Sequence, residues 1–103
     1  MNKDYQSQKE LEKVFEEYTS LISRASDLFK VRNEHHKNKF LKRGLGGIIV
    51  RIEDKLGDVE SGGKEGESLT ECLLDIANYA IMGTIIVERK NKKDAKFSKK
   101  ASR

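Results

Sequence analysis

The residues best suited to chemistry fall in one stretch, residues 68–88, SLTECLLDIANYAIMGTIIVE. It is the most apolar run of a chain in which 37% of residues are charged, and its length suits a helix of about six turns. At about 100° per residue, Ser68, Glu71, Asp75, Asn78 and Met82 share one narrow face. Leu69, Leu73, Ile76, Ala77, Ala80, Ile81 and Val87 take the opposite side. A carboxylate inside apolar surroundings is costly unless a metal, a cation or hydrogen bonds compensate it. Glu71, Asp75 and Asn78 are therefore the leading candidates for a site. Structural roles stand beside this reading. Ser68-x-x-Glu71 is a capping-box pattern that can simply close the start of the helix. Asp75 and Asn78 lie too deep for capping, and a salt bridge to Lys or Arg on a neighbouring helix is their alternative.

A second set of acids precedes the first. Residues 48–60, IIVRIEDKLGDVE, begin with β-branched residues that suit a strand, yet Ile48 or Ile49, Ile52, Leu56 and Val59 keep helical spacing. A lone strand would have no partner in this sequence, so a helix is expected. It carries Asp54 and Asp58 one turn apart, with Glu53 and Glu60 nearby. Residues 61–67, SGGKEGE, read as a flexible connection with Gly62, Gly63 and Gly66 as breakers. A hairpin across them brings Asp54 and Asp58 opposite Glu71 and Asp75. Hard oxygen ligands of this kind suit Mg²⁺ or Mn²⁺ bridging to phosphates, and the metal can activate water for attack at phosphorus. The spacing alone is not specific, because an acid-rich helix offers many such pairs.

Further elements must position these groups. Residues 4–32 predict a long amphipathic helix: Leu11, Val14, Phe15, Tyr18, Leu21, Ile22, Ala25, Leu28 and Phe29 recur at spacings of three and four. Residues 33–47, NEHHKNKFLKRGLGG, interrupt the pattern and read as a loop, or a short helix with loops. His35 and His36 are adjacent, so on a helix they diverge and form no two-histidine metal face. Arg32, Lys37, Lys39, Lys42 and Arg43 make this region cationic, as phosphate neighbours must be. No Gly-rich phosphate loop is present in the sequence.

The totals limit the remaining choices. A chain of 103 residues is one domain, small enough for oligomerisation to be attractive. Cys72 is the only cysteine, which excludes an internal disulfide and a cysteine-built zinc site. Asp75 interrupts the best apolar run, so no membrane span is expected. With no signal-peptide core at residues 1–10, a cytoplasmic location is expected. The net charge of +4 is unevenly spread. Residues 89–103 hold eight Lys or Arg against one Asp, while residues 1–88 hold 13 basic against 16 acidic side chains. This basic tail is expected to be disordered; it can make weak, non-specific, salt-sensitive contact with nucleic acid, although Phe97 alone is no stacking platform.

The segment VRIEDKL followed by ESLTECLLDIANYAIM resembles the nucleotide-modification-associated family common in phage genomes. That family looks like a branch of the all-α, MazG-like nucleoside triphosphate pyrophosphohydrolases. Its members read V-R-x-x-D-K, then E-S-x-x-D-x-L-x-D-L-A-N-Y-A. Arg51, Asp54, Lys55, Glu67, Ser68, Glu71 (in place of Asp), Asp75, Ala77, Asn78, Tyr79 and Ala80 match. Arg32 and Asn33 through Phe40 keep the spacing of a K-N-x-D-Y-G-x-x-W stretch. The departures are His35, His36 and Lys37 where the family has D-Y-G, and Gly57 or Asp58 where it has Arg. The wider superfamily's E-x-x-E metal motif survives only as Glu53, Asp54 and Asp58.

The resemblance implies an all-α, antiparallel helical bundle of MazG-like type over residues 1–88, completed by homo-oligomerisation as a dimer or higher. It implies an enzyme that splits a nucleoside triphosphate into monophosphate and pyrophosphate. Asp54, Asp58, Glu71 and Asp75 would hold Mg²⁺ (or Mn²⁺), with Asp54, Glu71 and Asp75 catalytic. Asn33, Arg51, Lys55, Asn78 and Tyr79 would contact the nucleotide. The departures favour the alternative of a phage protein, acting in the host cytoplasm, that binds and sequesters a nucleotide without a cofactor. A cyclic or ADP-ribose-type immune signal would be one such ligand. A nucleic-acid-associated protein using the basic tail is the third reading.

Overall fold

The spacings of three and four are realised as helices throughout. The computed structural model describes residues 3–63, 66 and 68–101, and among them the elements are α1 (Lys3–His36), α2 (Lys39–Glu60) and α3 (Leu69–Ala101). The all-α expectation holds, with no strand among the described residues. The β-branched run at residues 48–52 lies inside α2; burial of Ile48 against α3 outweighs the weak intrinsic preference.

Most of the packing joins α2 to α3, and far less joins α1 to α3. The α2–α3 pair is an antiparallel hairpin: Lys55 meets Asp75 near its closed end, while Leu45 and Ile48 meet Gly83 further along. A Cβ on Gly83 would stand 3.3 Å from Leu45 Cδ1 and 3.4 Å from Ile48 Cγ2, so its absence lets the two helices approach. Ser68 caps α3 by accepting a hydrogen bond from the Glu71 backbone N–H at 3.1 Å.

The region of residues 33–47 resolves into three parts. α1 continues to His36, and a tight turn at Lys37 and Asn38 adopts left-handed φ values of 50° and 62°. α2 then begins at Lys39 but is broken at Gly44, where φ is 75° and ψ is −176°. Asn33 fastens the turn: its Nδ2 donates to Asn38 Oδ1 at 2.6 Å, and its backbone carbonyl accepts from Lys37 N–H at 2.6 Å.

α3 differs from expectation at its far end. Instead of giving way to a separate tail after residue 88, the helix runs on to Ala101. No Gly or Pro interrupts residues 84–101, and Lys, Arg, Glu and Ala are good helix formers. Over Leu69–Lys96, α3 is also long and apolar enough, by length and composition alone, to cross a membrane. Asp75 and Asn78 lie inside that stretch and are buried against the other helices, and it is the helix on which both α1 and α2 pack.

The core is thin. Ala25, Ile48, Cys72 and Leu74 are its buried hydrophobic residues among those described. Cys72 is wholly enclosed, in keeping with a small core side chain rather than a reactive thiol.

Candidate functional site: a cationic, aromatic cavity

The polar stripe of α3 faces inward. Asp75 is 3% exposed and Asn78 8% exposed, whereas Leu73 and Ile81 on the opposite side are 54% and 56% exposed. The cost of burying the carboxylate is met by two cations from two other helices. Arg32 Nη1 of α1 pairs with Asp75 Oδ1, and Lys55 Nζ of α2 lies 3.1 Å from Asp75 Oδ2. Asn78 ties the same two layers together, its Nδ2 donating to the Ala25 carbonyl of α1 at 2.9 Å. Asp75 thus joins all three helices, and the salt-bridge alternative read from the sequence is the one realised.

Beside this junction lies a cavity of about 360 Å³, within the size range of small-molecule sites. α1 contributes Phe29, Arg32, Asn33 and His36, α2 contributes Lys39, Phe40 and Arg43 from its start and Arg51 from its middle, and α3 closes it with Asp75, Asn78, Tyr79 and Met82. Phe29 and Phe40 meet edge to face across the α1–α2 junction, with ring centroids 6.3 Å apart. The Gly44 break and the left-handed turn set the short segment of residues 39–43 over the cavity, so that Lys39, Phe40 and Arg43 all reach it. Four Lys or Arg side chains surround one carboxylate, and that carboxylate is already paired. Such walls attract an anion, and guanidinium groups suit phosphate in particular.

Of the residues singled out from the sequence, Asn33, Arg51, Asp75, Asn78 and Tyr79 line this cavity. Lys55 stands behind it on Asp75. Asn33 is also committed to the turn, and the Asn78 donor to α1. Asp54 and Glu71 are exposed and Asp58 is half-buried; none of the three lines the cavity. Glu71 follows the capping serine, as its spacing allowed. Among the described residues, no group of three or more His, Cys, Asp or Glu stands ready to hold a metal ion, so within one protomer Asp54, Asp58, Glu71 and Asp75 are not gathered into one metal centre. Glu67 lies outside the described residues. Met82, read from the sequence on the same face as Asp75 and Asn78, lines the cavity with them, and so do His36, Phe29 and Phe40, which did not stand out as site residues. For these the signal was the pair of phenylalanines flanking the basic region.

Comparison with known protein families, characterised proteins and solved structures gave no match for this chain.

Proposed function

We propose that this chain binds a nucleotide in the cavity and holds it without cleaving it. The observation that carries the reading is the composition of the walls: Arg32, Lys39, Arg43 and Arg51 surround a single carboxylate that is already ion-paired. The phosphates would lie against these cations, and the base against Phe29, Phe40 or Tyr79, since aromatic faces stack on any base. No metal is needed to neutralise phosphates in such a cavity. A free nucleotide as ligand makes the cytoplasm the compartment of action.

Mg²⁺-dependent hydrolysis to monophosphate and pyrophosphate is the second reading. It rests on the antiparallel α2–α3 hairpin, which carries Asp54 and Asp58 on one helix and Glu71 and Asp75 on the other. It further requires that these acids be brought together around a metal, which one protomer does not do among the described residues.

One experiment separates the two. The protein is incubated with a panel of nucleotides with and without Mg²⁺, freed of unbound ligand and heat-denatured, and the released molecules are chromatographed. Intact nucleotide, retained with or without metal, is the expected result. Arg51→Ala should weaken retention about 10-fold or more, the loss of one charge-assisted hydrogen bond. Pyrophosphate released only with Mg²⁺, and lost in Asp75→Ala, would instead establish the hydrolase. Failure to retain or cleave any nucleotide would refute both.

A further inference from the structure

Among the residues that line the cavity, His36 alone is of a type that changes charge between pH 5 and 8. It sits in the last turn of α1, where the negative end of the helix dipole favours a cation. The left-handed turn at Lys37 and Asn38 follows at once, so His36 and Lys39 reach the same cavity from two different helices. His35 does not line it. Neighbours on a helix diverge by about 100°, and the two imidazoles meet edge to face with centroids 5.1 Å apart. One histidine of the pair therefore belongs to the cavity wall and the other does not.

The charges around His36 set the direction of its response. α1 supplies Arg32, α2 supplies Lys39, Arg43 and Arg51, and α3 supplies Asp75 and the phenol of Tyr79. Glu34, His35 and Lys37 are its neighbours along the chain. A proton on His36 adds a fifth cation to a wall whose one carboxylate is already shared by Arg32 and Lys55. A phosphate lying against the same wall supplies the missing anion, and an anion beside an imidazole favours the imidazolium. Protonation and anion binding then strengthen each other by the same factor.

We propose that His36 binds a phosphate of the ligand and takes up a proton as it does so, which makes the cavity hold its nucleotide more tightly at lower pH. The inference rests on the nucleotide reading above and adds to it a residue and a control by pH. The sign follows from the donors. Below about pH 6.5 the imidazolium offers two N–H groups and a positive charge to phosphate oxygens. Above it the neutral ring keeps one donor and no charge, so the gain is lost as pH rises. Lys and Arg keep their charge across this range, which leaves His36 as the cation of the wall that responds. A cell compartment or a moment of acidification would thereby tighten the hold on the ligand, and a return to alkaline pH would release it.

Calorimetric titration of the full chain with ADP tests it, using the wild type, His36→Gln and His35→Gln at about pH 5.5 and about pH 8, either side of the histidine range. The terminal phosphate of ADP takes up its own second proton near pH ~6, but equally for all three proteins, so the comparison cancels it. At the lower pH the wild type should bind about 10-fold more tightly than His36→Gln, the worth of one charge-assisted hydrogen bond. At the higher pH the two should nearly coincide, and His35→Gln should follow the wild type throughout. Equal affinities of wild type and His36→Gln at both pH values would overturn the proposal, as would no binding of ADP by the wild type. The nucleotide reading is judged separately by retention from the panel, so the two can fail apart. Where His36→Gln does not fold, the ring proton signals of the wild type decide. The chain has two histidines, and saturating ADP should raise the pH midpoint of the His36 signal more than that of His35. A His36 midpoint that ADP does not move overturns the proposal.

Discussion

At the scale of single residues, Asp75 is where folding and binding meet. Its carboxylate is nearly sealed from water and shared between Arg32, 46% exposed, and Lys55, 17% exposed, so removing it takes the anion from one largely buried cation and one half-exposed one. Asp75→Ala should destabilise the protein by about 2 kcal/mol, the loss of hydrogen bonds to a charged group, read from urea unfolding at constant slope. Asp75→Asn separates the roles. In a sequestering protein it removes the only negative charge of the cavity wall, so nucleotide affinity measured by calorimetry should hold or rise while stability falls. A metal ligand treated the same way would lose Mg²⁺-dependent turnover. Asn78→Ala should cost about 1–2 kcal/mol through its buried bond to α1, with little effect of Asp54→Ala or Glu71→Gln on binding. That Asp75 and Asn78 matter was legible, because a helix interior makes any polar side chain conspicuous. Which cations meet Asp75 was not. Arg32 is 43 positions away, and nothing local distinguishes it from the chain's other 20 basic residues.

At the scale of elements, the decisive geometry is the break between α1 and the body of α2. Gly44 combines φ 75° with ψ −176°, a region that is essentially open to glycine alone. A Cβ there would meet nothing within 4 Å, so the penalty of Gly44→Ala is purely one of backbone. We expect a loss of about 1–3 kcal/mol, together with weaker nucleotide retention as Lys39, Phe40 and Arg43 are displaced. Gly46→Ala, in ordinary helical conformation and with equally open space, should gain up to about 1 kcal/mol. Paired thermal unfolding curves would show opposite shifts. The helices themselves were legible because their apolar spacing is regular over many turns. The sequence of residues 33–47 offered a loop or a short helix with loops; the structure has instead the end of α1, a two-residue turn and the start of α2 broken at Gly44. The inward turn of Asp75 and Asn78 agrees with the deep positions read from the sequence, whereas the exposure of Leu73 and Ile81 does not follow from it. The ion pairs with α1 and α2 hold the polar side inward. The helical run through the basic segment was likewise hidden by its charge, which suggests a tail although its residues favour a helix.

At the scale of the whole molecule, the cavity and the outward stripes make different demands on the same three helices. The first needs α1 and the start of α2 held against α3; the second leaves apolar side chains of α1 and α3 exposed. Residues 4–22 are exposed throughout, so mild urea should loosen the fold there first. Amide hydrogen exchange over a urea series would show protection there falling before it falls around Asp75. The bond from Asn78 to Ala25 spans 53 positions, a long reach for a helical protein. Arg32, Lys55 and the Ala25 carbonyl, which Asp75 and Asn78 meet through their side chains, all lie upstream of them, so during synthesis these partners leave the ribosome first and wait. The chain then holds helical segments without a tertiary structure until α3 emerges, and its assembly is timed by the closing of one wide loop rather than by the rapid growth of its helices.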